Sequence, residues 1–100
     1  MQTYVLDWAP DALDAVYAFG DYVAQQSSPR EGESVVARIF KAAEPLRHSP
    51  LAYSPAPEWG EGVRRLPTLG RRILFEVDEA ARVVSILAVV GGAENPREVR

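Results

Sequence analysis

The apolar residues of this chain change their spacing roughly midway along the sequence. After a short strand-like run at residues 4–8, they recur between residues 12 and 46 at steps of three and four residues, the spacing of a helix with one buried stripe. From residue 63 onward they alternate with polar residues or run together, as they do in strands. This order predicts an α+β fold in which helices pack on a sheet. At 100 residues the chain fits one domain, residues 1–100.

Two helices are predicted in the first half. The first begins at Pro10 and ends near Ser27, and its buried stripe consists of Ala12, Ala15, Val16, Phe19, Tyr22 and Val23. We expect Tyr17 and Tyr22 to be core or helix-pair contacts. The second helix starts at Ser28-Pro29-Arg30-Glu31, a capping box, and Pro45 kinks or ends it. Its inner face is predicted to contain Val35, Val36, Ile39, Phe40, Ala43 and Leu46.

Four strands are predicted. A short one contains Tyr4, Val5, Leu6 and Trp8, and the others span residues 63–69, 72–77 and 82–90, with tight turns between these three. Along the third strand Ile73, Phe75 and Val77 share the face toward the helices, and Arg72, Leu74 and Glu76 share the other. The last strand is apolar on both faces and should be central. Residues 48–60 form a loop in which Trp59 is a packing anchor.

Composition excludes several kinds of site. The chain has no cysteine and one histidine, His48, so neither a disulfide framework nor a metal centre is expected, and no cofactor is predicted. The net charge is -3, which disfavours nucleic acid as a direct ligand. Arginines make up almost all of the cationic residues, which favours bidentate contacts with proteins. The chain starts without a basic leader and its apolar runs are too short for a membrane, so we expect a cytoplasmic protein.

The order β-α-α-β-β-β, with particular residues at particular places, resembles the ParE/RelE superfamily of plasmid-stabilisation toxins. The resemblance spans nearly the whole chain and is carried by Trp8-Ala9-Pro10, Ser28-Pro29, Arg38-Ile39, Val63-Arg64-Arg65-Leu66, the run from Arg72 to Asp78 and the apolar terminal strand. It implies a helical hairpin packed on an antiparallel sheet. It also implies the toxin component of a type II toxin–antitoxin system, neutralised when the C-terminal segment of a cognate antitoxin wraps around it.

Two mechanisms occur in this superfamily. ParE-like members inhibit DNA gyrase by binding it and have no catalytic site, whereas RelE-like members are ribosome-dependent mRNA endoribonucleases. After the last strand, where the superfamily has basic residues, this chain has Gly91-Gly92-Ala93-Glu94, and no tyrosine follows Tyr53. A carboxylate next to a transferring phosphate opposes catalysis. We therefore predict a ParE-like toxin without catalytic residues.

Two alternatives stay open at this stage. One is a RelE-like endoribonuclease that uses Arg64 or Arg65 together with Arg72. The other is a family member that has lost its toxicity and serves as a binding module.

The candidate partner-binding residues are arginines on and beside the strands. They would pair with an acidic antitoxin peptide lying on the outer side of the sheet, and they are Arg64, Arg65, Arg71, Arg72 and Arg82. The alternative is that they are solvated edge residues that discourage aggregation. Because adjacent strand residues face opposite sides, only one of Arg64 and Arg65, and only one of Arg71 and Arg72, can serve a given surface.

Overall fold

The computed structural model describes residues 3–91 and has the predicted order of elements. These are β1 (Val5–Trp8), α1 (Pro10–Gln26), α2 (Pro29–Ala43), β2 (Arg64–Thr68), β3 (Arg71–Asp78) and β4 (Val83–Gly91). The segment predicted as a loop contains the short 3-10 helices Pro50–Ala52 and Pro57–Trp59, and another, Glu44–Arg47, precedes it. Two helices pack on a four-stranded sheet, so the α+β prediction is confirmed.

The helix ends lie where the sequence places them. Ser28 is the N-cap of α2, and its Oγ atom accepts a hydrogen bond of 3.2 Å from the backbone N–H of Glu31. Pro29 follows as the first helical residue, where its missing N–H has no partner to lose. α2 ends at Ala43, and Pro45 lies in the 3-10 helix that continues it, since proline cannot donate to the α-helical ladder.

Replacing Ser28 with alanine is expected to lower the free energy of unfolding by about 1 kcal/mol, because the N–H of Glu31 loses its acceptor. Urea unfolding followed by circular dichroism measures the change. Ser28→Asp is the matched control, since its side chain can still accept the hydrogen bond. Equal stability of the alanine and aspartate variants would contradict the assigned cap.

The sheet is mixed, with strand order β1-β4-β3-β2. β2 pairs with β3 and β3 with β4 in antiparallel fashion, as expected for strands joined by short turns. β1 instead pairs with β4 in parallel, so the antiparallel expectation holds for the three turn-linked strands only. No turn joins β1 to β4, and turn geometry therefore does not fix their relative direction. β4 lies between two strands, as its apolar faces predict.

The main core lies between the helices and the sheet. Its largest fully buried side chains are Phe75, Ile39, Leu46, Ile73, Ile86, Val16 and Val84. The prediction that Tyr22 belongs to this core is wrong, because its side chain is 58% exposed. On α1 the buried positions are Ala12, Val16 and Gly20, and Tyr22 lies two residues, or about 200° of helical rotation, beyond Gly20.

A second, smaller cluster covers part of the outer face of the sheet. Leu74 and Val90 are buried there beneath Ala56 and Val63, and the ring of Trp59 packs against them. Trp59 is thus the packing anchor expected from the sequence. Leu74, predicted to lie on the open face, is buried because the chain folds its own segment 56–63 over it. This part of the outer face is therefore closed to a foreign peptide.

Candidate functional site

The two helices touch through a pair of glycines. A Cβ atom added to Gly32 would lie 2.5 Å from the backbone oxygen of Gly20, closer than any side chain can approach. A Cβ atom on Gly20 would lie 2.5 Å from the Cγ2 atom of Val36. The backbones of α1 and α2 are therefore in direct contact at this crossing, and a Cβ atom on residue 32 would block the approach.

The close crossing leaves a groove of about 550 Å³ between α1 and α2. Its apolar lining includes Tyr17 and Ala24 from α1 and Val36, Ala37 and Phe40 from α2. Asp21 and Glu33 contribute the carboxylates, one from each helix, and both are exposed. Neither carboxylate forms an ion pair with another residue in the range 3–91. The groove thus combines an apolar lining with negative charge from both helices.

An aromatic cluster supports the groove near one end. Trp8 packs edge-on against Phe40, with 5.0 Å between ring centroids, and Tyr17 lies 6.0 Å from the same ring. Tyr17 is a helix-pair contact, as predicted, but 52% of its surface stays exposed. Tyr17 therefore presents part of its ring to the groove, and tyrosine is a residue type enriched at protein interfaces.

Arg64 and Arg65 both hold the chain's own loop against the edge of the sheet. The Nη1 atom of Arg64 donates to the carbonyl oxygen of Tyr53 over 2.6 Å, and the Nη1 atom of Arg65 donates to that of Pro55 over 3.2 Å. The backbone N–H of Arg65 also donates to Ser54. These contacts cover part of the free edge of β2, which would otherwise be open to pairing with another chain.

Arg72 and Arg82 also contact neighbouring parts of the fold. The Nη2 atom of Arg72 donates to the carbonyl oxygen of Gly91 over 3.3 Å, and its guanidinium lies 5.6 Å from the Trp59 ring centroid. The Nη1 atom of Arg82 donates to the hydroxyl of Tyr4 over 3.0 Å, and its guanidinium stacks 4.0 Å from that ring. Both arginines thus join segments that are distant in sequence.

The side chains of Arg71 and Arg72 lie on opposite faces of the sheet. Its guanidinium stacks 3.9 Å from the centroid of the Phe19 ring on α1, whereas Arg72 contacts Trp59 on the outer face. The five arginines are consequently divided among several surfaces and do not form one patch. Their role in partner binding stays a prediction.

Other kinds of site are limited within residues 3–91. No group of three or more potential metal ligands comes together there. Neither α1 nor α2 has the length and hydropathy that a membrane-crossing helix needs. Lys41 is exposed on α2 and His48 is exposed just after the 3-10 helix Glu44–Arg47, so neither lies on a strand beside the arginines.

Comparison with models of known protein families assigns the chain to one of them. The model of the ParE toxin of the type II toxin–antitoxin system, parDE, matches residues 6–96. The chain belongs to the ParE toxin family. This family assignment confirms the resemblance found in the sequence and covers both the helical groove and all five arginines. No curated protein sequence matches the chain significantly.

Solved structures of ParE and RelE systems share its fold. A chain from the chromosomal ParDE system of P. aeruginosa superposes with a TM-score of 0.77 at 21% identity, covering 88% of this chain and 95% of that one. A chain of the RelBE2 toxin–antitoxin complex from Mycobacterium tuberculosis gives 0.67 at 21% identity, covering 94% and 97%. A mutant of the E. coli toxin RelE in the free state gives 0.64 at 17% identity, covering 99% and 100%.

Sequence reasoning missed the groove of this ParE family member. The available signal was Gly20 and Gly32, each alone inside a helical pattern, because such glycines usually have a packing reason. The segment Gly92-Ala93-Glu94, where the sequence lacks the basic residues of the superfamily, lies outside the described residues.

Proposed function

We propose that this ParE family member is a toxin that acts by binding a protein, with DNA gyrase as the target, and that a cognate antitoxin neutralises it. The observation that carries the proposal is the match of the ParE toxin family model over residues 6–96. The fold agrees with it, since the chromosomal ParDE chain from P. aeruginosa superposes with a TM-score of 0.77.

The chemistry of the described residues supports binding over RNA cleavage. Cleavage of a phosphodiester needs cationic groups arranged around the phosphate. Arg64, Arg65 and Arg72 each donate a hydrogen bond to a carbonyl oxygen of the chain itself, which leaves less of their capacity for a phosphate. Lys41 and His48 lie away from the strands, on or after α2.

The helical groove is the surface on which we propose that an antitoxin helix docks. An amphipathic helix that lays an apolar face into a groove buries that face and excludes water from it. Tyr17 and Phe40 offer the apolar contact area. The carboxylates of Asp21 and Glu33 favour an antitoxin helix with lysine or arginine beside its apolar face.

Expression in a bacterial host tests the function. We expect induction of the chain to arrest growth, and we expect co-expression of a small protein encoded next to it to restore growth. Purified toxin is expected to inhibit supercoiling by DNA gyrase while cellular mRNA stays intact. Lys41→Ala, on the exposed surface of α2, is the control that should keep toxicity.

Two outcomes would contradict this proposal. Cleaved mRNA with normal supercoiling would identify a RelE-like endoribonuclease. Normal growth with soluble, folded protein would identify a family member that has lost its toxicity and acts as a binding module.

A further inference from the structure

Arg71 is the one of the five candidate arginines whose guanidinium donates no hydrogen bond within residues 3–91. Its side chain stacks on the ring of Phe19, and its Nε atom is buried. Among residues 3–91 no oxygen atom accepts a hydrogen bond from this Nε atom. A guanidinium N–H that loses water without gaining an acceptor is unfavourable. The buried Nε–H is itself out of reach of a partner, so the donors that Arg71 can offer to an acceptor outside the described chain are those of its two Nη atoms, which form no hydrogen bond within residues 3–91.

A recess of about 340 Å³ lies directly beside this side chain. Ala15 and Ala18 of α1 line it and are small, while Phe19 and Val89 provide further apolar contact area. Tyr22, 58% exposed, also lines it and adds a phenol hydroxyl. The recess and the groove lie on different sides of α1, because they share no residue of this helix. The α1 residues of the groove include Tyr17 and Gly20, which do not line the recess. It can hold a side chain that has both an apolar part and an acceptor.

The surrounding charge selects the kind of acceptor. Arg71 is the one cationic side chain in the recess, and α1 carries Asp11, Asp14 and Asp21 but no lysine or arginine. A nucleic-acid strand has a phosphate at every nucleotide and would bring several negative charges close to these aspartates. A single carboxylate avoids this repulsion and matches the fork of a guanidinium with two parallel hydrogen bonds.

We propose that this recess binds one aspartate or glutamate side chain of the antitoxin, with Arg71 as the residue that recognises the carboxylate. An aliphatic or aromatic residue next to that acid packs on Ala15, Ala18 and Tyr22. This inference rests on the proposed function, because the antitoxin is the partner. This inference gives Arg71 a binding role, whereas the described hydrogen bonds of the other four arginines hold the fold together. Those four are Arg64, Arg65, Arg72 and Arg82. Phe19 fixes the position of the guanidinium before the partner arrives.

Binding measurements with the full chain test the inference. The probe is the small protein encoded next to the toxin gene, purified and titrated into wild-type, Arg71→Gln and Arg71→Lys toxin. We expect Arg71→Gln to raise Kd about 10- to 100-fold, the effect of losing a charge-assisted hydrogen-bonded pair. Arg71→Lys should recover only part of the affinity, because an ammonium group lacks the bidentate fork. Thermal melting of each variant without the partner shows whether it is folded.

Arg30→Gln is the matched control, since it removes the same charge from an exposed position on α2 outside the recess. It should leave Kd within about 2-fold of wild type at physiological salt. A second control is the chain that ends at residue 91, which tests the C-terminal segment as an alternative occupant. The truncated toxin should show the same loss on Arg71→Gln.

Each unfavourable result has its own meaning. A complex whose Kd is the same for wild type, Arg71→Gln and Arg30→Gln overturns this inference and leaves the proposed function intact. An Arg71 effect that disappears in the truncated chain assigns the recess to residues 92–100 and also overturns it. Loss of binding to a labelled RNA in Arg71→Gln, with unchanged antitoxin binding, points to nucleic acid instead. No complex with the neighbouring protein at all contradicts the inference and the proposed function together.

Discussion

Replacement of Phe75 with alanine is expected to lower the free energy of unfolding by about 3–5 kcal/mol. The side chain is fully buried at the centre of the core between helices and sheet, and its ring makes an edge-on contact with Tyr53 at 6.1 Å between centroids. Removing the ring loses its transfer free energy and leaves a cavity that the surrounding strands cannot fill. A domain of this size has a total stability of about 5–15 kcal/mol, so much of it would be lost.

Urea unfolding at 25 °C, with the transition midpoint as readout, measures this effect. Phe75→Leu is the conservative variant and should lose about 1 kcal/mol, because it keeps most of the apolar volume. Glu76→Ala is the exposed neighbour on the same strand and should change stability by no more than about 0.5 kcal/mol. A loss below about 1 kcal/mol for the alanine variant would show that Phe75 does not lie at the centre of the core.

Gly32→Ala is expected to destabilise the protein by about 2 kcal/mol although alanine is the better helix former. Intrinsic propensity alone would favour alanine by about 1 kcal/mol. The new Cβ atom, however, would lie 2.5 Å from the backbone oxygen of Gly20 and 2.8 Å from the Cβ atom of Ala24. Because the nearest atom belongs to the backbone, the helices must move apart, and overpacking of this kind costs about 1–3 kcal/mol or more.

The matched comparison is Gly20→Ala, which should destabilise the protein less than Gly32→Ala does. Its added Cβ atom meets the Cγ2 atom of Val36, a side-chain atom that can shift, and lies 3.1 Å from the backbone oxygen of Gly32. Glu33→Ala, at an exposed position next to Gly32, controls for changes in helix propensity. Thermal and urea unfolding measure the stability of the three variants relative to wild type. If Gly32→Ala stabilised the chain, the direct contact between helix backbones would be wrong.

Local sequence signals predicted the elements well because their causes are local. Pro10 and the Ser28-Pro29 pair mark the starts of the helices, and Pro45 follows the end of α2 at Ala43. The turn between β2 and β3 was predicted from Gly70, which adopts its φ of 71° without steric cost, and Leu69 also has positive φ, 51°, as a type I′ hairpin turn requires. Each of these features depends on the conformational preferences of one to four neighbouring residues.

Features that depend on distant residues were not predictable in the same way. The parallel pairing of β1 with β4 joins residues almost 80 positions apart, and no local pattern specifies its direction. Leu74 has the alternation of an outward-facing residue, yet Ala56 and Val63 cover it. Tyr22 matches the helical period but lies outside the core, because the period gives the spacing of a stripe and not its centre.

The same division applies to the candidate site. The α+β fold, the ParE/RelE resemblance, the placement of Arg64, Arg65 and Arg72 on strands and the alternation that separates Arg71 from Arg72 could all be inferred from the sequence. Which oxygen atoms the other arginines reach, and that the guanidinium of Arg71 reaches none within residues 3–91, could be seen only in the folded chain. The difference lies in range, because backbone preferences act between neighbouring residues, whereas hydrogen-bond acceptors and grooves arise where segments distant in sequence meet.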